Sequence, residues 1–266
     1  MLYFVSTPIG NLKDISYRAI EVLNEVDEIA CEDTRRSITL LNHYGIKKPL
    51  FAYHKFNEKE SAEKLVQKLL DGKNIAVISD AGTPVISDPG NVLITMLKER
   101  EIEYTVIPGA CALISALILS GLDASKFCFL GFLPEKQSER ENLLNKYKTL
   151  DLTLIFYCAP HNVVKDVQSI YQVFGDRVAV AVKEITKIHE KAERFNLKDG
   201  YTFSPKGEYV LVVEKGKNQN PLLQLSEEEH VNAYLSQGMD KKEVLKIVAK
   251  ERGVSKSSLY KYTVDK

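Results

Sequence analysis

The sequence contains no tryptophan and carries no net charge, with 36 Lys and Arg against 36 Asp and Glu over 266 residues. This balance excludes a global field that would gather nucleic acid or an anionic membrane, so any polyanion has to be met by a local patch. Cysteine is scarce. Cys31, Cys111, Cys128 and Cys158 form no CxxC pair and no dense framework, which argues against a secreted disulfide scaffold or a zinc site and for a reducing, cytoplasmic setting. The five histidines lack zinc-ligand spacing, so no metal is expected. Long apolar runs are missing as well. The longest, 110–119, is too short to span a bilayer, and no basic segment precedes an apolar one near the start, so neither membrane insertion nor export is expected. Two phosphate-binding signatures are also absent: G-x-G-x-x-G after the first strand, and G-x-x-x-x-G-K-[ST] anywhere. A dinucleotide site or a P-loop is therefore a weak reading.

Apolar residues make up 44% of the chain, and the length suits two domains that each bury a core. Short β-branched runs at 2–5, 28–30, 75–79 and 104–107 alternate with helical patterns at 16–26, 34–44, 58–71 and 91–100. This predicts an α/β fold with a mostly parallel sheet covered on both faces. A further helix stops at Gly121, and the rhythm then restarts with strands expected at 127–132, 153–157, 177–182 and 209–213 and helices at 138–147 and 163–174. The expected domains are 1–115 and 116–221, both α/β, followed by a small helical extension over 222–266.

In that extension, Ser226 to Glu229 is a capping-box pattern, Asp240 to Glu243 resembles another, and Ser255 follows a break at Gly253. The spacing of 243–252, 253–255 and 256–262 is that of a helix-turn-helix, which is also the spacing of any packed helical pair. From Asp240 to Lys266 there are eight Lys or Arg against four Asp or Glu. Lys250, Arg252, Lys256 and Lys261 are the candidates for phosphate contact.

The most informative stretch is 77–90, where an apolar run ends in a loop holding Gly82, Gly90, Pro84, Pro89, Asp80 and Asp88. Glycine permits positive φ and close approach of a ligand, and proline stiffens the turn. Such residues also make an ordinary connection. Similar rigid corners follow the first strand, at Thr7-Pro8-Ile9-Gly10-Asn11-Leu12, and the run ending in Pro108-Gly109. A ligand held by three such loops without a phosphate cradle should be compact.

These motifs, with Glu32-Asp33-Thr34-Arg35, Phe156-Tyr157-Cys158-Ala159-Pro160-His161-Asn162 and the segment from Glu184 to Glu190, resemble the ribosomal RNA small subunit methyltransferase I family, a branch of the tetrapyrrole methylase superfamily. The resemblance runs from Met1 to about Val213, and the helical tail is similar to the extension of that branch. It implies the tetrapyrrole methylase fold of two α/β domains, S-adenosyl-L-methionine between them, a homodimer, and methylation of a cytidine ribose 2′-oxygen in 16S rRNA of the small ribosomal subunit, in the decoding region. The cofactor loop falls on Asp80, Ala81, Gly82, Thr83, Pro84 and Ile86, with Pro8 and Ile9 from the first loop, Cys111 and Ala112 after Pro108-Gly109, and Cys158 from the second domain. Thr83 stands where tetrapyrrole-methylating relatives usually carry Asp, and Cys111 where relatives more often carry Ser or Thr.

Methyl transfer is an in-line displacement met largely by positioning, and a protonated ribose hydroxyl is a poor nucleophile until a side chain takes its proton. Glu184, Lys187, His54 and Asp33 are the catalytic candidates, with Glu32 and His189 beside them. Asp33 and Arg35 also read as a plain ion pair. In the segment 51–58 aromatic and cationic residues alternate, as in contacts to unpaired bases, making Lys55 a candidate for RNA, and Arg35 of the motif at 32–35 is another; a strand end packing Phe51 and Tyr53 inward explains the 51–58 pattern equally. The segment 183–190 reads equally as a charged strand facing water. Two other functions share these features: a tetrapyrrole C-methylase, and a non-catalytic regulator that senses a small ligand and binds nucleic acid through the tail.

Overall fold

A computed structural model describes residues 1–216 and 221–263, which form two compact units. The first holds Met1–Lys146 and Leu152–Lys215; the second holds Tyr147–Asp151 and the described residues from Gly216 onward.

The N-terminal lobe of the first unit is a wholly parallel sheet of β1 (Leu2–Val5), β2 (Glu28–Cys31), β3 (Leu50–Ala52), β4 (Ile75–Ile78) and β5 (Tyr104–Ile107), in the order β3-β2-β4-β1-β5. Its strands are apolar because both faces are covered. In β4, Ile75 and Val77 join Leu65 and Leu69 of α3 (Glu58–Leu70) and Leu93 and Leu97 of α4 (Asn91–Glu99). Ala76 and Ile78 point the other way, to Leu23 of α1 (Tyr17–Glu25) and Leu41 of α2 (Thr34–His43). Each buried Leu or Ile contributes about 1.5–3 kcal/mol. Ser16 and Asp33 accept the backbone N–H of Ala19 and Arg35 and so set where α1 and α2 begin. Because the strands are parallel, the loops leaving β1, β2, β4 and β5 all emerge at one edge, the edge where open α/β sheets bind ligands.

The C-terminal lobe is a mixed sheet of β6 (Phe127–Phe132), β7 (Thr153–Cys158), β8 (Val178–Lys183), β9 (Lys191–Asn196) and β10 (Tyr209–Val213), ordered β6-β7-β10-β8-β9, with β6 and β7 parallel and the other pairs antiparallel. Helix α5 (Ala112–Ser120) packs Leu113, Ala116 and Leu117 on Ile155, Val180, Val182, Val210 and Val212. Helices α6 (Gln137–Asn145) and α7 (Val163–Phe174) pack on each other and share a buried ion pair, Arg140 to Asp166 at 3.2 Å.

Three expectations change. A boundary at 115 would cut α5 in two, yet the whole helix belongs to the C-terminal core, so the lobes meet at 108–111. Residues 147–151, expected in the second α/β domain, group with the helical unit. Residues 184–190 form a turn, and the strand begins at Lys191.

In the second unit, α8 (Glu227–Leu235), α9 (Lys241–Arg252) and α10 (Lys256–Leu259) bury Val231, Val244, Leu245, Val248, Ala249 and Leu259 together. Ser226 and Glu229 form a full capping box, Asp240 caps α9, Gly253 ends it in the left-handed region, and Ser255 caps α10. Arg252 is built into this unit and is not free for phosphate. Its Nε donates to His230 Nδ1 at 2.9 Å, and its guanidinium donates to the carbonyls of Leu222, Leu225 and Ser226. With Nδ1 accepting, His230 Nε2 is left to donate to Glu251 at 3.0 Å; burial, and then the neighbouring Arg252, lower the pKa of the imidazole.

Candidate active site

Three loops of the N-terminal lobe are stitched together by backbone and hydroxyl hydrogen bonds. Thr7 N–H donates to the Gly82 carbonyl at 2.9 Å and Gly82 N–H to the Thr7 carbonyl at 3.1 Å, a single antiparallel bridge between the loops after β1 and β4. Thr83 Oγ1 donates to the Ala110 carbonyl at 3.2 Å and accepts from Ser6 Oγ at 3.2 Å, which ties in the loop after β5. Gly82 sits at φ +82°, and a Cβ there would meet Ile9 Cγ2 at 3.1 Å. Val85 and Ser87 take φ +75° and +68°. Each such non-glycine residue costs about 1–3 kcal/mol and persists where the surroundings over-determine it, commonly at functional sites.

The first loop also meets the corner after β8. Asn11 N–H donates to Thr186 Oγ1 at 3.0 Å, and a Cβ on Gly10 would lie 2.6 Å from Lys187 Cγ, so glycine is required there by close approach. Glu184 and Thr186, at φ +52° and +65°, give this corner its shape.

Between the lobes lies a cleft of about 390 Å³, within the range of small-molecule sites. Of the residues expected to hold a cofactor, Ile9, Asp80, Ala81, Gly82, Thr83, Ile86, Cys111, Ala112 and Cys158 line it. Pro8 lines an adjoining groove of about 590 Å³, and Pro84 lines neither. The sequence reading missed Arg36, Asp88, Phe132, Tyr157, Glu208 and Val210, which also face the cleft. Asp88 and Tyr157 lie within marked segments but beside the assigned positions, whereas Phe132, Glu208 and Val210 come from strands or loops that no local motif marks. The adjoining groove is polar, with Arg36, Asn42, His43, Asp80, Lys187 and Glu208 on its walls.

The charged groups at the cleft differ sharply in partnership. Asp80 is held by Arg36 at 2.9 Å and by the Asp33 N–H at 3.1 Å. Glu208 and Glu184 share Lys187, at 2.9 and 3.0 Å, and Glu184 also accepts the Glu208 N–H at 3.0 Å. Burial alone would raise the Glu184 carboxyl, but the Glu208 N–H and the Lys187 ammonium outweigh it and leave it below the usual carboxylate range. Partial burial likewise opposes the charge on Lys187, yet Glu208 and Glu184 leave it above the ordinary lysine value. Asp88 behaves in the opposite way. Burial first, then the charges of Glu32 and Asp80, push it up to about 6 against the hydrogen bond from Ser79. Burial and Asp80 raise Glu32 as well.

The remaining candidates fall elsewhere. Asp33 caps α2 and pairs with Arg35, whose hydrogen bonds hold it at about 2, while the Arg35 side chain is otherwise in solvent. His54 is half-buried, its Nδ1 lacks a partner, and it lines neither cavity. Tyr53 is buried and Lys68 covers the Phe51 ring at 4.7 Å, whereas Lys55 and Phe56 are exposed. Lys250, Lys256 and Lys261 are exposed on the helical unit.

Comparison with known proteins identifies the family and the fold. A family model described as tetrapyrrole (corrin/porphyrin) methylases matches residues 1–199. A Haemophilus influenzae protein named ribosomal RNA small subunit methyltransferase I is 44% identical over 98% of this chain and 95% of its own length. A Halalkalibacterium halodurans protein of the same name is 40% identical, over 97% and 93%. Among solved structures, the methyltransferase CobJ superposes with a TM-score of 0.64 at 16% identity, covering 80% of this chain and 93% of that one. A diphthine synthase does so at 0.65 and 16%, covering 80% and 89%. At such identities the likeness is one of fold.

Proposed function

We propose a function from one premise, that the chain belongs to the tetrapyrrole (corrin/porphyrin) methylase family: it is an S-adenosylmethionine-dependent methyltransferase of 16S rRNA, acting on a cytidine ribose 2′-oxygen in the small ribosomal subunit. The observation that carries this reading is the cleft, in which the stitched loops after β1, β4 and β5 face Tyr157, Cys158 and Val210 across a space of small-molecule size.

The residues present fit such a donor. The wall made by Ile9, Ile86, Val210 and the rings of Phe132 and Tyr157 suits its apolar parts, and the aromatic faces suit a cation. The bound donor supplies an electrophilic methyl group on a sulfonium. What the chain supplies is position: loops tied to one another by Thr7, Gly82, Thr83 and Ala110 hold the ligand in one orientation, so that an incoming oxygen meets the methyl in line. Thr83 is already committed to this tie, consistent with a branch that lacks the tetrapyrrole enzymes' Asp. On the acceptor side, Lys250, Lys256 and Lys261 offer phosphate contacts on the helical unit. Exposed Ile114 and Ile118 of α5, with Tyr104 and Val106 of β5, support a homodimer. Among the described residues no helix is long and apolar enough to cross a membrane, and we place the enzyme in the cytoplasm with its ribosomal substrate.

Incubation with methyl-labelled donor and small ribosomal subunits from a strain lacking the activity tests the reading. We expect label in 16S rRNA at one cytidine whose 3′ linkage has become resistant to alkali, because a blocked 2′-oxygen cannot attack the phosphate. Label on a base, label in a porphyrinoid instead of RNA, or no transfer would overturn it.

A further inference from the structure

We propose that Asp88 takes the proton of the acceptor ribose hydroxyl, an inference that rests on the function proposed above. Of the carboxylates lining the cleft, Asp80 is neutralised by Arg36 and Glu208 by Lys187, whereas Asp88 has no cation at ion-pair distance among the described residues. A carboxylate held by a cation is a weakened base; one without a cation keeps its affinity for a proton. The other candidates fail on position or state. Asp33 and His54 line neither cavity, and Glu184 and Lys187 are consumed by each other. Tyr157 and Cys158 do line the cleft, but burial pushes the phenol up to about 12 and the thiol well above its ordinary value, so neither is ionised near neutrality.

The loop holds Asp88 in a fixed place. Ser87 before it sits at φ +68°, Pro89 after it fixes its own φ, and the Gly90 N–H donates to Glu58 at 2.8 Å. The charged groups that face Asp88 come from several elements: Glu32 and Asp80 repel its charge, Arg36 is spent on Asp80, and Tyr157 lies across the cleft. Asp33 and His54 face Glu32 instead. The carboxyl is thus poised near 6 and is ionised, but still basic, at neutral pH. In the step itself, the hydroxyl oxygen forms its bond to the methyl carbon as the carbon–sulfur bond breaks with its electron pair going to sulfur. The hydroxyl proton passes to Asp88 and from there to solvent.

The test combines a titration of the resting protein with transfer kinetics. Carbon-13 NMR of labelled aspartate carboxyls should show one group with a midpoint near 6 that is missing in Asp88→Asn. At saturating donor, the single-turnover rate on small subunits should rise through that pH and then level off. Asp88→Asn should still bind donor by calorimetry, transfer about 10²-fold or more slowly, and show a residual rate that climbs with pH without levelling. Asp88→Glu should recover part of the rate with the plateau restored. A wild-type rate in Asp88→Asn, a slowed rate that keeps the same plateau, or loss of donor binding would each overturn the assignment while leaving the proposed function standing. Absence of RNA methylation by the wild-type protein would remove both.

Discussion

In the C-terminal lobe, Asp166 meets Arg140 at 3.2 Å and Glu184 meets Lys187 at 3.0 Å, whereas in the N-terminal lobe Asp88 and Glu32 are half-buried with no cation at ion-pair distance among the described residues. Both arrangements bury carboxylates, and what differs is whether a cation opposes the cost of that burial. Against burial, the Glu208 N–H and Lys187 hold Glu184 below its ordinary value, and Arg140 opposes the rise that burial forces on Asp166; with no cation to oppose it, burial pushes Asp88 up to about 6 and strains the fold at neutral pH. The comparison therefore separates carboxylates that a cation holds in the structure from a loop that is kept ready for chemistry.

The harshest way to probe the paired side is Arg140→Ala. It leaves Asp166 buried without its cation and should cost about 3–5 kcal/mol in urea unfolding. A loss of a few tenths would mean that the pair is not a scaffold element. Asp88→Asn probes the unpaired side and should raise the melting temperature by a few degrees at about pH 8. The sign follows from linkage. Because the folded protein raises this acid, the native state binds more protons than the unfolded chain as pH rises from the ordinary carboxylate value toward 6, and stability falls over that window. The gain should fade as pH falls through about 4 and vanish well below it, where the group is protonated in both states. A lower melting temperature at alkaline pH would break the comparison. Lys187→Met should have the smallest effect, a loss of about 1 kcal/mol or less near neutrality. Glu184 is lowered in the folded state, so its contribution is present above its unfolded value and fades on acidification; the deficit should shrink below about pH 4.

Much of the fold is legible along the chain because apolar period and capping residues agree. Ser16, Asp33, Ser226, Asp240 and Ser255 all cap the helices that follow them. What escapes has physical reasons. Strand β3 is three residues long, and β9, Lys-Ala-Glu-Arg-Phe-Asn, is an exposed edge strand with no apolar alternation to read. The loop-borne wall of the cleft shows in the sequence because glycine and proline mark it. The opposite wall shows only in the motif at 156–162; Val210 does not, since it comes from a strand far from Tyr157 in sequence and is its neighbour only because β10 inserts between β7 and β8. Asp88 reads as an ordinary turn residue until Arg36 and Lys187 are seen to be taken by others.

The central claim, that the cleft holds the methyl donor, is tested most directly by calorimetric titration of S-adenosylmethionine into the wild-type protein and Gly82→Val. The substitution puts a branched side chain at φ +82° against Ile9, in the stitched loop, while the sheets and their cores are untouched. Saturable heat from the wild type, lost or weakened at least about 100-fold in a variant that still unfolds cooperatively, is the result expected, a difference of about 2.7 kcal/mol. Equal affinity in the two proteins, or no heat from the wild type, would contradict it.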